Sequence, residues 1–170
     1  GLFMERSLTD NINAAVLDQK KKKNGWLDDA GMRAEAKERI RELSINASGP
    51  EVPAGTFSGG NQQRVVIARW LATNPEILIL NGPSVGVDVK SKSEIHRILK
   101  ELARNGLAVV LISDDIGELL STTNRIIVMN SGRMVYENMT EQITADILNE
   151  KITQNIEKKG GPENVENKDK

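Results

Sequence analysis

The 170-residue chain contains no cysteine. Disulfides, thiolate zinc sites, iron–sulfur clusters and thiol catalysis are excluded at once. It holds one histidine, His96, which reads as a surface or packing residue beside an apolar helix stripe. Neither sign of charge dominates: 23 Lys and Arg against 24 Asp and Glu leave a net charge of −1. A generic nucleic-acid binder needs a basic surplus to neutralise phosphates, so nucleic acid is not an expected partner. No apolar run approaches the ~18 residues of a membrane span. No basic segment followed by an apolar one opens the chain, as it would in a signal peptide. What is present is 38% apolar and 28% charged residues, enough for a core under a polar surface. The expectation is a soluble, cytosolic α/β protein. The chain opens at Gly1 without an initiator methionine, which reads as a piece of a longer polypeptide.

Periodicity and turn residues divide the chain. Ser7 or Thr9 can cap a helix running to Leu17. Lys20–Lys23 followed by Asn24-Gly25 reads as a solvated loop, with a basic contact patch as the alternative. Residues 28–43, rich in Ala, Glu, Lys and Arg, predict a helix, and residues 46–56 a Pro/Gly loop. A helix is expected from Gly59 or Gly60 to Thr73, with Val66, Ile67, Trp70 and Leu71 as its buried stripe. Ile77-Leu78-Ile79-Leu80 reads as a strand buried on both faces. Residues 91–104 form an amphipathic helix with Ile95, Ile98, Leu99 and Leu102 inward, stopped by Asn105-Gly106. Residues 107–112 predict a second buried strand. This alternation indicates a parallel sheet with right-handed crossovers. A short helix at 115–120, a hairpin from 125–129 to 134–136 and a last helix at 140–148 complete the pattern. Beyond about Thr153 the chain is polar and is expected to be disordered.

The stretch richest in chemistry is Phe57-Ser58-Gly59-Gly60-Asn61-Gln62-Gln63. Two glycines at a helix start lower helix propensity, so they belong where backbone must approach something closely. A helix N-terminus offers unpaired N–H groups and a positive dipole end, both suited to phosphate. The competing reading is an ordinary serine cap with glycines for packing. The apolar helix and strand that follow favour the phosphate reading.

With these residues in view, the chain resembles the nucleotide-binding subunits of ABC transporters. FSGGNQQ at 57–63 is similar to their LSGGQ signature, in the form found in tandem-cassette importers of simple sugars. Ile77–Leu80 matches the Walker B strand, Gly86-Val87-Asp88 the D-loop, and residues 125–129 with Gly132 the late strand pair. The resemblance spans Gly1 to about Leu148. It implies the later part of a second cassette in a two-cassette chain. The implied fold is a partial P-loop NTPase: a mainly parallel sheet with helices and a helical signature subdomain, its first strands and P-loop missing. The implied domains are a helical part at 1–74, an α/β core segment at 75–150 and a disordered tail at 151–170.

The departures matter equally. The P-loop pattern GxxxxGK[ST] is absent from these 170 residues, and with it the lysine that neutralises phosphate charge. The family's Walker B strand ends in Asp-Glu-Pro; here Asn81 and Gly82 precede Pro83. An amide is a poor hard-cation ligand beside a carboxylate, and glycine can neither take a proton nor orient water. Asp114 stands at the family's switch histidine. Asp114 and Asp115 read as helix-capping residues, and no metal site is expected. The resemblance therefore implies a cassette whose own site, at Asn81, Gly82 and Asp114, is catalytically dead. Its signature residues Ser58, Gly59, Gly60, Asn61 and Gln62 would complete an ATP site held by a partner cassette, with Asp88 at the cassette interface. ATP and Mg²⁺ are implied for the assembled transporter, with neither bound to this chain alone. The implied partners are the first cassette of the same chain, transmembrane permease subunits and, indirectly, a periplasmic or extracellular sugar-binding protein. The implied location is the cytoplasmic face of the cell membrane. The alternatives are a non-catalytic scaffold that docks membrane subunits, and a soluble ABC protein of translation or DNA repair. The latter would carry basic surfaces or insertions that are not seen here.

Overall fold

The computed structural model describes residues 1–157. The elements in chain order are α1 (Leu8–Asn13), α2 (Asp29–Glu42), α3 (Gly59–Leu71), β1 (Ile77–Asn81), α4 (Val89–Arg104), β2 (Ala108–Ile112), α5 (Ile116–Thr122), β3 (Arg125–Asn130), β4 (Arg133–Met139) and α6 (Ala145–Glu157), with single 3₁₀ turns at 17–20, 54–56 and 140–142. The described residues form two compact units, 1–112 and 113–157. Among the described residues no helix is long and apolar enough to cross a membrane.

In the first unit, α1, α2, α3 and α4 share one core with one face of a parallel β1–β2 pair. The helical part and this strand pair are thus one body, so position 74/75 does not separate compact units. Ser7 caps α1 by accepting the Asp10 N–H at 3.0 Å. The helix ends at Asn13, short of Leu17, because the buried Asn13 side chain turns inward. Its amide donates to the carbonyls of Thr9 and Met32. Residues 21–27 close a small hairpin over Gly25, at φ +85. Helix α4 buries Ile95, Ile98, Leu99 and Leu102, as its period requires.

Two packing expectations are corrected. Trp70 is 51% exposed; the buried face of α3 is Gly60, Arg64, Ile67, Ala68 and Leu71, with Val65 beside it. The face includes a glycine and an arginine, so a count of apolar residues alone places the stripe a fraction of a turn away. The strands are also not covered on both sides. Leu78 and Leu80 point into the core, while Ile77, Ile79, Val110 and Ile112 are exposed on the opposite face. A continuous apolar run signals two covering layers, and the described residues provide one.

In the second unit, β3 and β4 pair antiparallel through Ser131-Gly132. Both have positive φ, +50 and +75, as the favoured two-residue hairpin turn needs. Ile126, Val128, Ile143 and Leu148 make its core. Helix α6 runs to Glu157, nine residues beyond the expected end. The tail expected to be disordered from 151 is helical to that point. The remainder of that tail lies outside the described residues.

Candidate functional site

The Phe57–Gln63 segment places its two glycines at the first two positions of α3. Ser58 is the residue before them, extended at φ −61 and ψ 157, yet its side chain does not cap the helix. The hydroxyl is exposed and accepts only a long contact from Asn61 Nδ2, 3.3 Å. The first N–H groups of a helix have no partner within it, and the Ser58 side chain does not supply one. Gly59 is likewise exposed. Asn61 and Gln62 spend their side chains inside the chain. Asn61 Oδ1 accepts the Asn46 N–H at 3.1 Å, and Gln62 Nε2 donates to the Phe57 carbonyl at 2.9 Å. They fasten the loops that flank the helix start.

The segment after β1 lies against this helix start. A Cβ added to Gly59 would sit 3.8 Å from the Gly86 carbonyl and 4.0 Å from Val87. Gly59, Gln62, Gly86 and Val87 line one groove together with Leu2 and Met4 of the N-terminal segment. Asp88 is exposed and caps α4. Its Oδ1 accepts the Ser91 N–H at 3.0 Å and its Oδ2 the Ser91 hydroxyl at 2.7 Å. Those two bonds, the backbone one first, hold the Asp88 carboxyl below the usual carboxylate range.

Arg64, one turn into α3 from Gly60, is only 5% exposed. It donates to the Ser44 carbonyl at 2.5 Å and the Gly60 carbonyl at 3.3 Å, and pairs with Glu94 of α4 at 2.8 Å. Ser91 and Arg64 are absent from the sequence-based expectations. The signals were available: Ser91 stands three residues after Asp88, at the place where a polar side chain can answer an N-cap, and Arg64 and Gly60 are one turn apart.

Asn81 is the exposed last residue of β1, in register with Ile112. Gly82 has φ +57, and its N–H donates to the Ile112 carbonyl at 2.9 Å. A side chain there would be strained and would press on Val85 at 3.0 Å, so the backbone itself suits glycine and not glutamate. The first unit's own residues therefore do not fit Mg²⁺ at the end of β1: an amide and a glycine offer no carboxylate. Asp114 belongs to the second unit and is exposed; its neighbour Asp115 caps α5 through the Glu118 N–H at 2.9 Å. The buried Glu118 carboxylate accepts from the Ser113 hydroxyl. Among the described residues no group of three or more His, Cys, Asp or Glu is placed to share a metal ion.

The family profile described as "ABC transporter" matches residues 2–85. The chain is 42% identical over 134 residues to a "Putative ribose/galactose/methyl galactoside import ATP-binding protein 2" of Rhizobium meliloti, covering 79% of this chain and 26% of that protein. It is 42% identical over 146 residues to a "Ribose import ATP-binding protein" of Yersinia pestis, covering 86% and 29%. The chain thus spans about a quarter to three-tenths of the length of these relatives. Among solved structures it is similar to the dimeric cassette MJ0796 in a post-hydrolysis state bound to ADP and Pi: TM-score 0.66, 28% identity, covering 82% of this chain and 59% of that one. For the cassette MJ1267 the TM-score is 0.74 at 22% identity, covering 90% and 63%, a likeness of fold alone.

Proposed function

Since this chain belongs to the ABC transporter family, we propose that it is the later part of the second cassette of a simple-sugar import ATPase. Its work is to complete, in trans, an ATP site whose phosphates a partner cassette holds. The observation that carries this reading is the start of α3: an exposed serine that does not cap its own helix, followed by an exposed glycine.

Ser58 supplies a hydroxyl donor, and the free N–H groups of α3 supply further donors and a positive dipole end. Such donors bind an anion by geometry alone and need no titratable base. In the assembled site, ATP and Mg²⁺ supply the phosphoryl chemistry. The contribution of this chain is orientation and charge stabilisation. Asn61 and Gln62 act behind the contact by fixing the loops around it. Asp88, held by Ser91 beside that contact, meets the partner cassette.

Asn81 and Gly82, with Asp114 in the switch position, make this chain's own site inactive. The proposed partners are a first cassette in the same polypeptide, transmembrane permease subunits and, through them, a sugar-binding protein. The proposed location is the cytoplasmic membrane face. A second reading, a scaffold cassette that only docks membrane subunits, draws on the same losses at Asn81 and Gly82.

The test is direct. The purified chain is expected to show no magnesium-dependent ATP turnover, because a missing catalytic group alone typically lowers rate about 10²–10⁴-fold. Steady magnesium-dependent turnover by the chain alone would contradict the assignment of an inactive site.

A further inference from the structure

The two glycines that open α3 stand in different surroundings. Gly59 is exposed, and a side chain there would meet only ordinary contacts near 4 Å. Gly60 is buried against α4. A Cβ added to Gly60 would overlap both Cβ and Oγ of Ser91, while Ser91 Cα would remain at 3.7 Å. The missing side chain at 60 therefore makes room for another residue of the same chain.

Ser91 is itself committed. Both its N–H and its hydroxyl are bonded to the Asp88 carboxylate. One turn further along both helices, Arg64 pairs with Glu94. Because the overlap includes Ser91 Cβ, turning the hydroxyl away cannot clear it; a methyl group at 60 would push the first turn of α4, and with it the Ser91–Asp88 bonds, away from α3.

We infer that Gly60 is a positioning residue: it lets Ser91 pack against the signature helix while gripping Asp88, so that Ser58–Gly59 and the Asp88 carboxylate move as one rigid element. The inference rests on the proposed trans role of the signature and adds a separate duty for its second glycine. The contact surface offered to the partner is then Ser58 and Gly59, with Asp88 at a fixed offset. The Gly60 side-chain position faces inward and contributes no ligand-facing space.

The test adds a methyl group on α3 and removes the hydroxymethyl group it would strike on α4. In the assembled transporter, Gly60→Ala, Ser91→Gly and the pair are compared for ATP turnover, and the Asp88 carboxyl is titrated by carbon-detected NMR in selectively labelled protein. Gly60→Ala overpacks a close contact and is expected to lower turnover about tenfold and to move the Asp88 carboxyl back towards the ordinary value. Ser91→Gly relieves the overlap, so the pair should regain turnover to within about threefold of the parent. Its Asp88 keeps a backbone bond from position 91, so the carboxyl should return towards the value in Ser91→Gly alone. A pair no more active than Gly60→Ala, with Asp88 likewise unrestored, would overturn the inference and assign the space at 60 to a ligand. So would a Gly60→Ala protein with both readouts unchanged.

Ser58→Arg in the same preparation separates the two ideas. If it leaves turnover intact, the trans-signature reading fails, and the Asp88 titration across the Gly60 and Ser91 variants alone decides this inference.

Discussion

Ser58→Arg in the assembled transporter is expected to lower ATP turnover about 10²–10³-fold, the loss seen when a preorganised donor to a developing oxyanion is removed. The side chain at 58 is exposed and makes one long hydrogen bond, so the chain has no packing reason to resent the change. Its stability should shift by no more than about 0.5 kcal/mol, as for other surface substitutions. The expected combination is therefore a stable, assembled and nearly inactive complex. The bulk of arginine fills the space in front of the α3 N-terminus and takes away the hydroxyl donor. Unchanged turnover would instead favour the scaffold reading, in which the signature serves no nucleotide.

A second large effect is expected at the α3–α4 contact. Glu94→Ala should destabilise the first unit by about 3 kcal/mol, because it strands a guanidinium that is almost wholly inside the protein. Arg64 would keep the carbonyls of Ser44 and Gly60 but lose the Glu94 carboxylate. Arg64→Met should cost less than Glu94→Ala. It removes the cation, fills much of the same volume, and leaves Glu94, whose side chain is 35% exposed, to be hydrated. Denaturant unfolding of the two variants checks the order. A Glu94→Ala protein as stable as the parent would show that water or another group compensates the charge.

Much of this site could be read from residue order. Glycines at a helix start, an apolar helix, then Ile77–Leu80 and a turn at Gly82-Pro83 placed the signature and β1 where the structure has them. Ile95, Ile98, Leu99 and Leu102 placed α4, because their spacing leaves one choice of face. The misplaced features share a cause. A count of hydrophobicity places Trp70 inside, but Gly60 and Arg64 take the buried face for steric and ionic reasons. The coverage of β1 depends on chain that packs from elsewhere, which a local pattern cannot count. The spacing of Ser91 to Asp88 is legible in the sequence, but its contact with Gly60, thirty-one positions earlier, is not. Helix α6 continues nine residues past its expected end at Leu148, where the sequence turns polar.

The losses at Asn81 and Gly82 have a structural counterpart that composition does not reveal. The left-handed backbone at Gly82 suits a residue without Cβ. Restoring glutamate there would add a carboxylate at a cost of about 1–2 kcal/mol in backbone strain. The end of β1 thus has a backbone suited to glycine, while the start of α3 keeps an uncapped serine.

The central claim is that the start of α3 sits against the terminal phosphate of a nucleotide held by another cassette. Orthovanadate trapped with ADP in the assembled transporter occupies the position of that phosphate, and ultraviolet light then cleaves the backbone beside it. Mass spectrometry of the cleaved products locates the cut. The account predicts a cut in this chain within residues 57–61. Cleavage confined to other segments, with residues 57–61 intact, would contradict it.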